Sequence, residues 1–422
     1  MVIYLGAFKI MDPSAAVCIS YDSLQQFPPV VPQKDLRESY SQKTNLNLTA
    51  IYNQISIQEA PPAVYCDPNR YQILQTVKDA FETEGFIQAR DATNPFERIG
   101  RSIFINRAAV KLANIDAVHH VTDQIFTFDA KQSGEQFTFC DVAAGPGGFT
   151  QYLQYRFPQA IGYGMTLRHE KLNWSTRFID MNRFTAFYGK DNTGNLYTNW
   201  DSFIQLVLSN QPNGVDLITA DGGFDLEDTM DKALLHRQEF LSSRLLLTQA
   251  IIGISCSRRG GNFVLKVFDT VTEFSAQVLL ILAACFTSIE IFKPVSSRPA
   301  NAERYVVCLG RKDHVQQYYN LLTGAARAYA DDIYLNQLFV EPIPTEFREW
   351  LSYNNSQSID RQLQAAQNIL FYIRGNMPPI PQYDIDKFLI VWNLPDTPTF
   401  TRKDQMGFTG PLLPGQTIIQ AR

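Results

Sequence analysis

The stretch FCDVAAGPGGFTQYL, residues 139–153, decides the fold. Phe137, Phe139 and Val142 read as a buried strand, and Phe149, Tyr152 and Leu153 recur at helical spacing. The turn Gly145-Pro146-Gly147-Gly148 lies between them. A glycine-rich turn joining a strand to a helix lets a ligand approach bare backbone at a helix N-terminus.

The turn lacks the GxxxxGK[ST] pattern of a phosphate loop, and Pro146 interrupts the spacing of a dinucleotide GxGxxG. What remains is room for a small amino-acid-bearing ligand, with Asp141 just ahead of the turn placed to hold an ammonium group. S-adenosylmethionine suits that description. For the loop taken alone, a plain tight turn stays open.

Outward from the turn, apolar β-rich runs alternate with helical patterns from 137 to 310. Strands are expected at about 137–143, 160–165, 184–188, 215–220, 262–268, 288–294 and 304–309, with helices at 148–156, 230–256 and 271–286. That alternation predicts an α/β fold around a mostly parallel seven-stranded sheet. In SIEIFKPVSSRPANAERYVVCLG (288–310) two strands follow each other with no helix between, which predicts an antiparallel hairpin at one sheet edge.

The chain divides into an arm at 1–65, a helical segment at 66–135, the α/β core at 136–312 and an extension at 313–422. Helical periodicity covers 68–90 and 102–118; 313–375 reads as helices, and Pro and Gly are dense from 376 onward. The tail is expected to wrap the domain or to dock a protein partner.

The 422 residues are 45% hydrophobic, enough for a sizeable core, and a net charge of −5 excludes bulk electrostatic binding of nucleic acid. Any such site must be a local basic patch. Between 90 and 111, five cations (Arg90, Arg98, Arg101, Arg107, Lys111) stand against Asp91 and Glu97, a surplus of three. The six Cys contain no CxxC pair and read as buried free thiols of a reducing compartment. No spacing suggests a metal site. The N-terminus does not read as a signal peptide, and the longest apolar run, 276–286, is too short to span a bilayer. A soluble, intracellular chain with no membrane contact is expected.

Charged residues inside apolar strands are expensive without partners. Asp221 ends the buried strand of VDLITADGGFDL (215–226), and Lys266 sits near the end of GGNFVLKVFD (260–269). One acid and one base at strand ends point to a site in the crevice at the sheet's carboxyl edge, or to a structural ion pair. Glu303 precedes the next strand, and Lys111 lies on an upstream helix.

Lys111, Asp221, Lys266 and Glu303, with the glycine turn between the first two, resemble the K-D-K-E tetrad of the FtsJ/RrmJ-like ribose 2′-O-methyltransferases. The likeness is greatest to the cap-specific mRNA (nucleoside-2′-O-)-methyltransferase group, which makes cap 1. The strings NPFERIGRSIFINRAAVKLANID, DVAAGPGGFTQYL, GYGMTL, ADGGFDLE, GGNFVLKVFD and FKPVSSRPANAERYVVCLG carry it over roughly 75–310. The resemblance implies a Rossmann-like S-adenosylmethionine-dependent fold with one antiparallel edge strand and capped mRNA as substrate. It implies that Lys111, Asp221, Lys266 and Glu303 are catalytic, with Lys266 accepting the proton. It further implies that Asn106, Asp141, Ala143, Ala144, Gly145, Pro146, Gly147, Gly148, Phe149, Asn195, Leu196 and Asp221 line the cofactor site. Asn195 stands where the family has an acid. Gln75, Lys78, Arg90, Arg101, Asp231, Ser297, Arg298 and Asn301 are implied to touch capped RNA, Gln75 replacing a base. Burial beside Lys111 is expected to lower the Lys266 pKa while Asp221 and Glu303 raise it. A cellular form is expected in the nucleus, a viral one in host cytoplasm or nucleus. An FtsJ-like enzyme acting on rRNA or tRNA, and a non-catalytic RNA-binding scaffold, are the competing readings.

Overall fold

The computed structural model describes residues 39–56, 59, 61–79, 85–122, 136–223, 237–329, 333–378, 380–381 and 383–394. Strand β1 (Ala50–Ser56) is followed by helices α1 (Pro68–Asp79), α2 (Phe86–Ala92) and α3 (Arg107–His119). The core then runs β2 (Thr138–Val142), α4 (Gly148–Arg156), β3 (Ile161–Met165), β4 (Phe184–Phe187), α5 (Leu196–Asn210) and β5 (Val215–Ala220). It continues through α6 (Gln238–Leu241), α7 (Ser243–Cys256), β6 (Ser257–Val267), α8 (Glu273–Cys285), β7 (Phe286–Phe292) and β8 (Arg304–Arg311). Helix α9 (Gln316–Ala328), strand β9 (Ile333–Phe339), α10 (Thr345–Ile373) and α11 (Ile385–Val391) complete the described chain.

Seven strands form one sheet in the order β4-β3-β2-β5-β6-β8-β7. The β4-β3-β2-β5-β6 ladder is parallel, and β8 runs antiparallel to both β6 and the edge strand β7. The hairpin expected at 288–310 is therefore present. Strand order reverses between β2 and β5, and in open α/β sheets ligands bind in the crevice outside such a switch point. Apolar layers cover both faces. One joins β2 and β5 to α5, α7 and α8; the other joins the opposite face to α3, α4 and α11. Helix α8 is wholly apolar from Val278 onward because it is buried on every side there: Leu279, Leu280, Ile281 and Leu282 are at most 1% exposed. Each such side chain contributes about 2 kcal/mol of burial.

Four differences from the sequence-based expectations have local causes. The helix expected at 68–90 is two helices, α1 and α2, with residues 80–84 outside the described set. The one at 102–118 starts five residues later, where the Asn106 side chain accepts the Ala108 amide at 3.0 Å and caps α3. The start of the 230–256 helix lies outside the described residues, and the remainder is α6 and α7. Within 313–375, expected to be helical throughout, 333–339 is strand β9, paired antiparallel with β1. Its partner is nearly 280 residues upstream, so no local pattern announces the pairing. Helix α11 packs Ile385, Leu389 and Trp392 into the layer that contains Phe96 and Ile99, so this part of the tail wraps the domain. Residues 395–422, the rest of the proposed docking tail, lie outside the described set. Cys140, Cys256, Cys285 and Cys308 are buried free thiols and Cys66 is half-buried. Among the described residues no helix is long and apolar enough to cross a membrane.

Candidate active site

Register brings the charged residues together. Ala220 of β5 faces Leu265 of β6, so the next residues, Asp221 and Lys266, meet at the carboxyl edge. Lys266 faces Tyr305 of β8, and Glu303 immediately precedes that strand. The Lys266 Nζ lies 3.3 Å from Asp221 Oδ1 and 4.0 Å from Glu303 Oε2. It also donates to the Asp221 carbonyl at 2.9 Å. Lys111, one turn inside α3, reaches across to Glu303 at 2.8 Å. The four residues expected to form the tetrad are thus one contiguous group of alternating charge, each side chain between 10% and 17% exposed.

Gly222 and Gly223 explain how Lys266 enters this group. A Cβ at Gly223 would stand 3.0 Å from Lys266 Cε and 3.1 Å from its Nζ. A Cβ at Gly222 would stand 2.5 Å from Gln249 Oε1, which accepts the Gly222 amide at 3.1 Å. Beside Lys266 lies a small pocket lined among others by Gly222, Ser242, Leu245, Phe268 and Asp269.

The expected opposition of burial against the two carboxylates is present at Lys266. Burial works to lower the Lys266 pKa, but Asp221 and then Glu303 outweigh it, and the net direction is up. Lys111, expected to add to the lowering, is not among the groups that shift Lys266; its ammonium meets Glu303 at 2.8 Å. Burial likewise works to raise the Glu303 pKa, but Lys111 and Lys266 overcome it and hold the carboxyl down at about 2. Tyr305 donates to Asp221 Oδ1 at 2.8 Å, so that oxygen serves both Tyr305 and Lys266. Burial, then Asp221, pushes the Tyr305 phenol up, which keeps it a donor.

The glycine turn follows β2 and leads into α4. Ala143 (φ 53°) and Gly147 (φ 106°) occupy the left-handed region. A Cβ at Gly145 would stand 1.8 Å from the Leu172 carbonyl, and one at Gly148 2.1 Å from Asn106 Oδ1. Phe149 is buried beneath the turn. Asn195 is the N-cap of α5, accepting the Tyr197 amide at 2.9 Å, and Leu196 is buried behind it. Both asparagines expected at the cofactor site therefore mark helix N-termini.

Asp141 does not hold an outside ammonium. It is fully buried, and Oδ2 accepts the Thr150 amide (3.0 Å) and hydroxyl (2.7 Å) while Oδ1 accepts the Thr219 hydroxyl (2.7 Å). Thr219 faces it directly across the β2–β5 ladder. The carboxyl is a clasp tying the turn, α4 and β5 together. Burial raises its pKa to about 7 against the lowering effect of the threonines.

The residues expected to meet RNA are only partly free to do so. Arg90 donates to Asp91 at 2.9 Å, and Arg298 lies 3.2 Å from Glu97 and 3.7 Å from Asp91. Arg107 pairs with Glu97 and donates to the Ser296 carbonyl at 3.1 Å. These pairs use Asp91 and Glu97, the two acids already set against the five cations, so the surplus of positive charge at 90–111 persists and Arg298 adds to it. Ser297 is 2% exposed and donates to Glu303 Oε1 at 2.8 Å, so it supports the tetrad rather than presenting itself to a ligand. Gln75 and Lys78 lie one turn apart on α1; burial lowers the Lys78 pKa and Asp269 opposes it. Arg101 is half-buried in the turn before α3, and Asp231 lies outside the described residues. Asn301 is exposed, and its carbonyl and amide oxygens both face the Lys293 ammonium. Lys293, Tyr305 and Gln249 escaped the sequence reading. Lys293 carries the signal that singled out Lys266, a cation at the end of an apolar strand.

The sequence profile of the FtsJ-like methyltransferase family matches residues 104–311. Cap-specific mRNA (nucleoside-2′-O-)-methyltransferase 1 of Danio rerio is 35% identical over 368 residues, covering 79% of this chain and 43% of the relative. The Homo sapiens protein of that name is 34% identical over 361 residues, 77% of this chain and 42% of the relative. The Drosophila melanogaster one is 40% identical over 259 residues, 58% of this chain and 32% of the relative. This chain thus spans less than half the length of these relatives. A solved structure of human methyltransferase-like protein 13 in complex with SAH aligns with 52% of this chain and 92% of its own, at 14% identity and a TM-score of 0.31, too remote to bear on the site. With the tetrad assembled and the glycine turn seated at the switch point, residues 104–311 of this chain are an FtsJ-like methyltransferase domain.

Proposed function

We propose that the chain is an mRNA cap ribose 2′-O-methyltransferase, moving a methyl group from S-adenosylmethionine to the 2′-OH of the first transcribed nucleotide of capped RNA. The observation that carries this reading is the Lys266 amine held at the sheet edge by Asp221 and Glu303, beside a small pocket. The relatives named above share the chain over most of its length and are cap-specific by name.

The residues present fit the donor. The turn at 143–148 is bare backbone at the switch point, and Asn106 and Asn195 flank it at two helix N-termini. Asp221 adds a negative charge facing the same edge, and among the described residues no hydrogen-bond partner meets its Oδ2. When bound, the donor supplies an electrophilic methyl on a positively charged sulfur. A neighbouring carboxylate suits that charge.

The chain's own task is the hydroxyl. A ribose 2′-OH is a weak acid, so the site must orient its oxygen and take its proton. Asp221 and Glu303 fix the Lys266 Nζ from two sides, Lys111 and Ser297 fix Glu303, and Tyr305 fixes Asp221. Lys266 rests as an ammonium. Freeing its lone pair at pH 7.5 from an ordinary lysine pKa costs about 4 kcal/mol, and the upward shift adds to that. Orientation in a bound complex supplies about 7–11 kcal/mol, so a lysine that begins charged is still workable.

Methyl transfer to short transcripts bearing or lacking a cap tests the reading. Incorporation confined to capped RNA is expected. Equal incorporation into uncapped rRNA or tRNA fragments, or none into any RNA, overturns it.

A further inference from the structure

Lys266 does not meet carboxylates alone. Asp221 reaches its ammonium from the edge of β5 and Glu303 from just ahead of β8; Lys111 of α3 stands behind Glu303, and Tyr305 of β8 behind Asp221. The same Nζ lies over the ring of Phe268, 5.8 Å from its centroid. Phe268 is two residues further along the chain and 9% exposed. A Cβ at Gly223 would stand 3.0 Å from Phe268 Cζ and 3.1 Å from Lys266 Nζ, so a glycine there is what lets ring and ammonium converge. Both side chains line the small pocket, together with two further acids, Asp269 and Glu239. An aromatic face carries partial negative charge and favours an ammonium over a neutral amine. A side chain that did no more than exclude water would do the reverse, because desolvation lowers a lysine pKa. Burial does pull Lys266 down, and Asp221, then Glu303, carry it up.

We propose that Phe268 is a positioning residue that acts through Lys266: its ring face holds the ammonium and sets the pH at which the amine is free to take the ribose proton. The proposal rests on the reading of Lys266 as proton acceptor given above. Two opposite effects on rate follow. Where Lys266 is mostly charged, the ring keeps more of the amine protonated and so idle. Where the amine starts neutral, the ring favours the positive charge that grows on Nζ as the proton arrives. A phenylalanine that only fills space produces neither effect.

The test alters the ring in the full chain carrying Glu303→Gln, which brings the Lys266 titration into an accessible pH range. The titration is followed by NMR at the Lys266 Cε in protein with isotope-labelled lysine, the signal being assigned through Lys266→Arg. Phe268→Leu removes the aromatic face and keeps an apolar side chain. A trifluorinated phenylalanine at 268 keeps the ring's shape and strips its face of negative charge, so the outcome does not depend on Phe268→Leu folding. Both changes should lower the Lys266 midpoint by about half to one and a half pH units, while Phe268→Tyr should leave it in place. Initial-rate methyl transfer to capped RNA over the same range should be faster than in the parent near neutral pH and slower at the alkaline plateau. A midpoint that stays put or moves upward overturns the proposal, as does a rate loss of equal size at every pH. A midpoint that falls while the methyl-transfer profile keeps its inflection is a distinct result: it overturns the reading of Lys266 as proton acceptor, and the proposal with it, although the ring still holds the ammonium.

Discussion

Replacing Glu303 by Gln keeps the shape of the side chain and removes one charge from the tetrad. Lys266 Nζ and Glu303 Oε2 are 4.0 Å apart, on side chains 13% and 10% exposed. Unit charges at that separation interact by about 1 kcal/mol in water and about 4 kcal/mol at an effective dielectric of about 20. At about 1.4 kcal/mol per pKa unit, losing the carboxylate lowers the Lys266 pKa by about one to three units. The sign is unambiguous, because a negative charge beside an ammonium stabilises the charged form. The wild type, with Lys266 shifted upward, needs alkaline pH to expose the amine. Its kcat/KM for methyl transfer to capped RNA should rise with unit slope through neutral pH without levelling. Glu303→Gln should level one to three units earlier, whatever happens to its maximum rate, since Lys111 also loses its partner. The assay is initial-rate methyl transfer with both substrates below saturation, from pH 6 to 10. A flat wild-type profile, or a Glu303→Gln inflection unmoved or moved upward, would refute the role given to Lys266.

Three further outcomes follow from the geometry. Asp141→Ala leaves the Thr150 amide and Thr219 hydroxyl without their buried acceptor, at about 1–3 kcal/mol each, whereas Asp141→Asn retains an acceptor and should fold. Because the folded pKa of Asp141 is raised to about 7, the folded state binds a proton first as pH falls from 8 towards 5, so urea denaturation should show the wild type gaining stability relative to Asp141→Asn; an opposite trend contradicts the buried-carboxyl account. Gly145→Ala drives a Cβ to 1.8 Å from the Leu172 carbonyl, so calorimetric binding of S-adenosylmethionine should be lost, and normal affinity would show that the turn is not the donor's seat. Glu97→Gln releases Arg107 and Arg298, so capped RNA should bind more tightly at low salt with a steeper salt dependence; weaker binding would make Glu97 a positioning group rather than a competitor of phosphate.

The core was legible because its signals are local. Buried parallel strands read as apolar runs, the turn after β2 has a distinctive composition, and a charge inside such a run stands out. Lys266 and Asp221 were found that way, before register showed that they meet. Lys293 carries the same mark and was passed over, and Tyr305 was hidden as one aromatic among many until its pairing with Lys266 placed it on Asp221. The β1–β9 pair was illegible because antiparallel partners far apart in the chain leave no periodic trace. Asp141 was misassigned for a related reason. Its acidity and place suggested a ligand contact, but its direction depends on Thr219, a residue on a neighbouring strand. Which cations at 90–111 are tied down was illegible because Arg298, which shares Asp91 and Glu97 with Arg90 and Arg107, comes from a distant loop and meets them only when the chain is folded.

The claim on which the mechanism turns is that the amine of residue 266 takes the ribose proton. Mapping the methylated nucleotide on a short capped transcript, for the wild type and for Lys266→Ala with RNA binding measured in parallel, tests it most directly. A 2′-O-methyl group on the first transcribed nucleotide that disappears in the variant while RNA binding persists is the expected result; methylation at undiminished rate in Lys266→Ala, or at another position in the wild type, would contradict it.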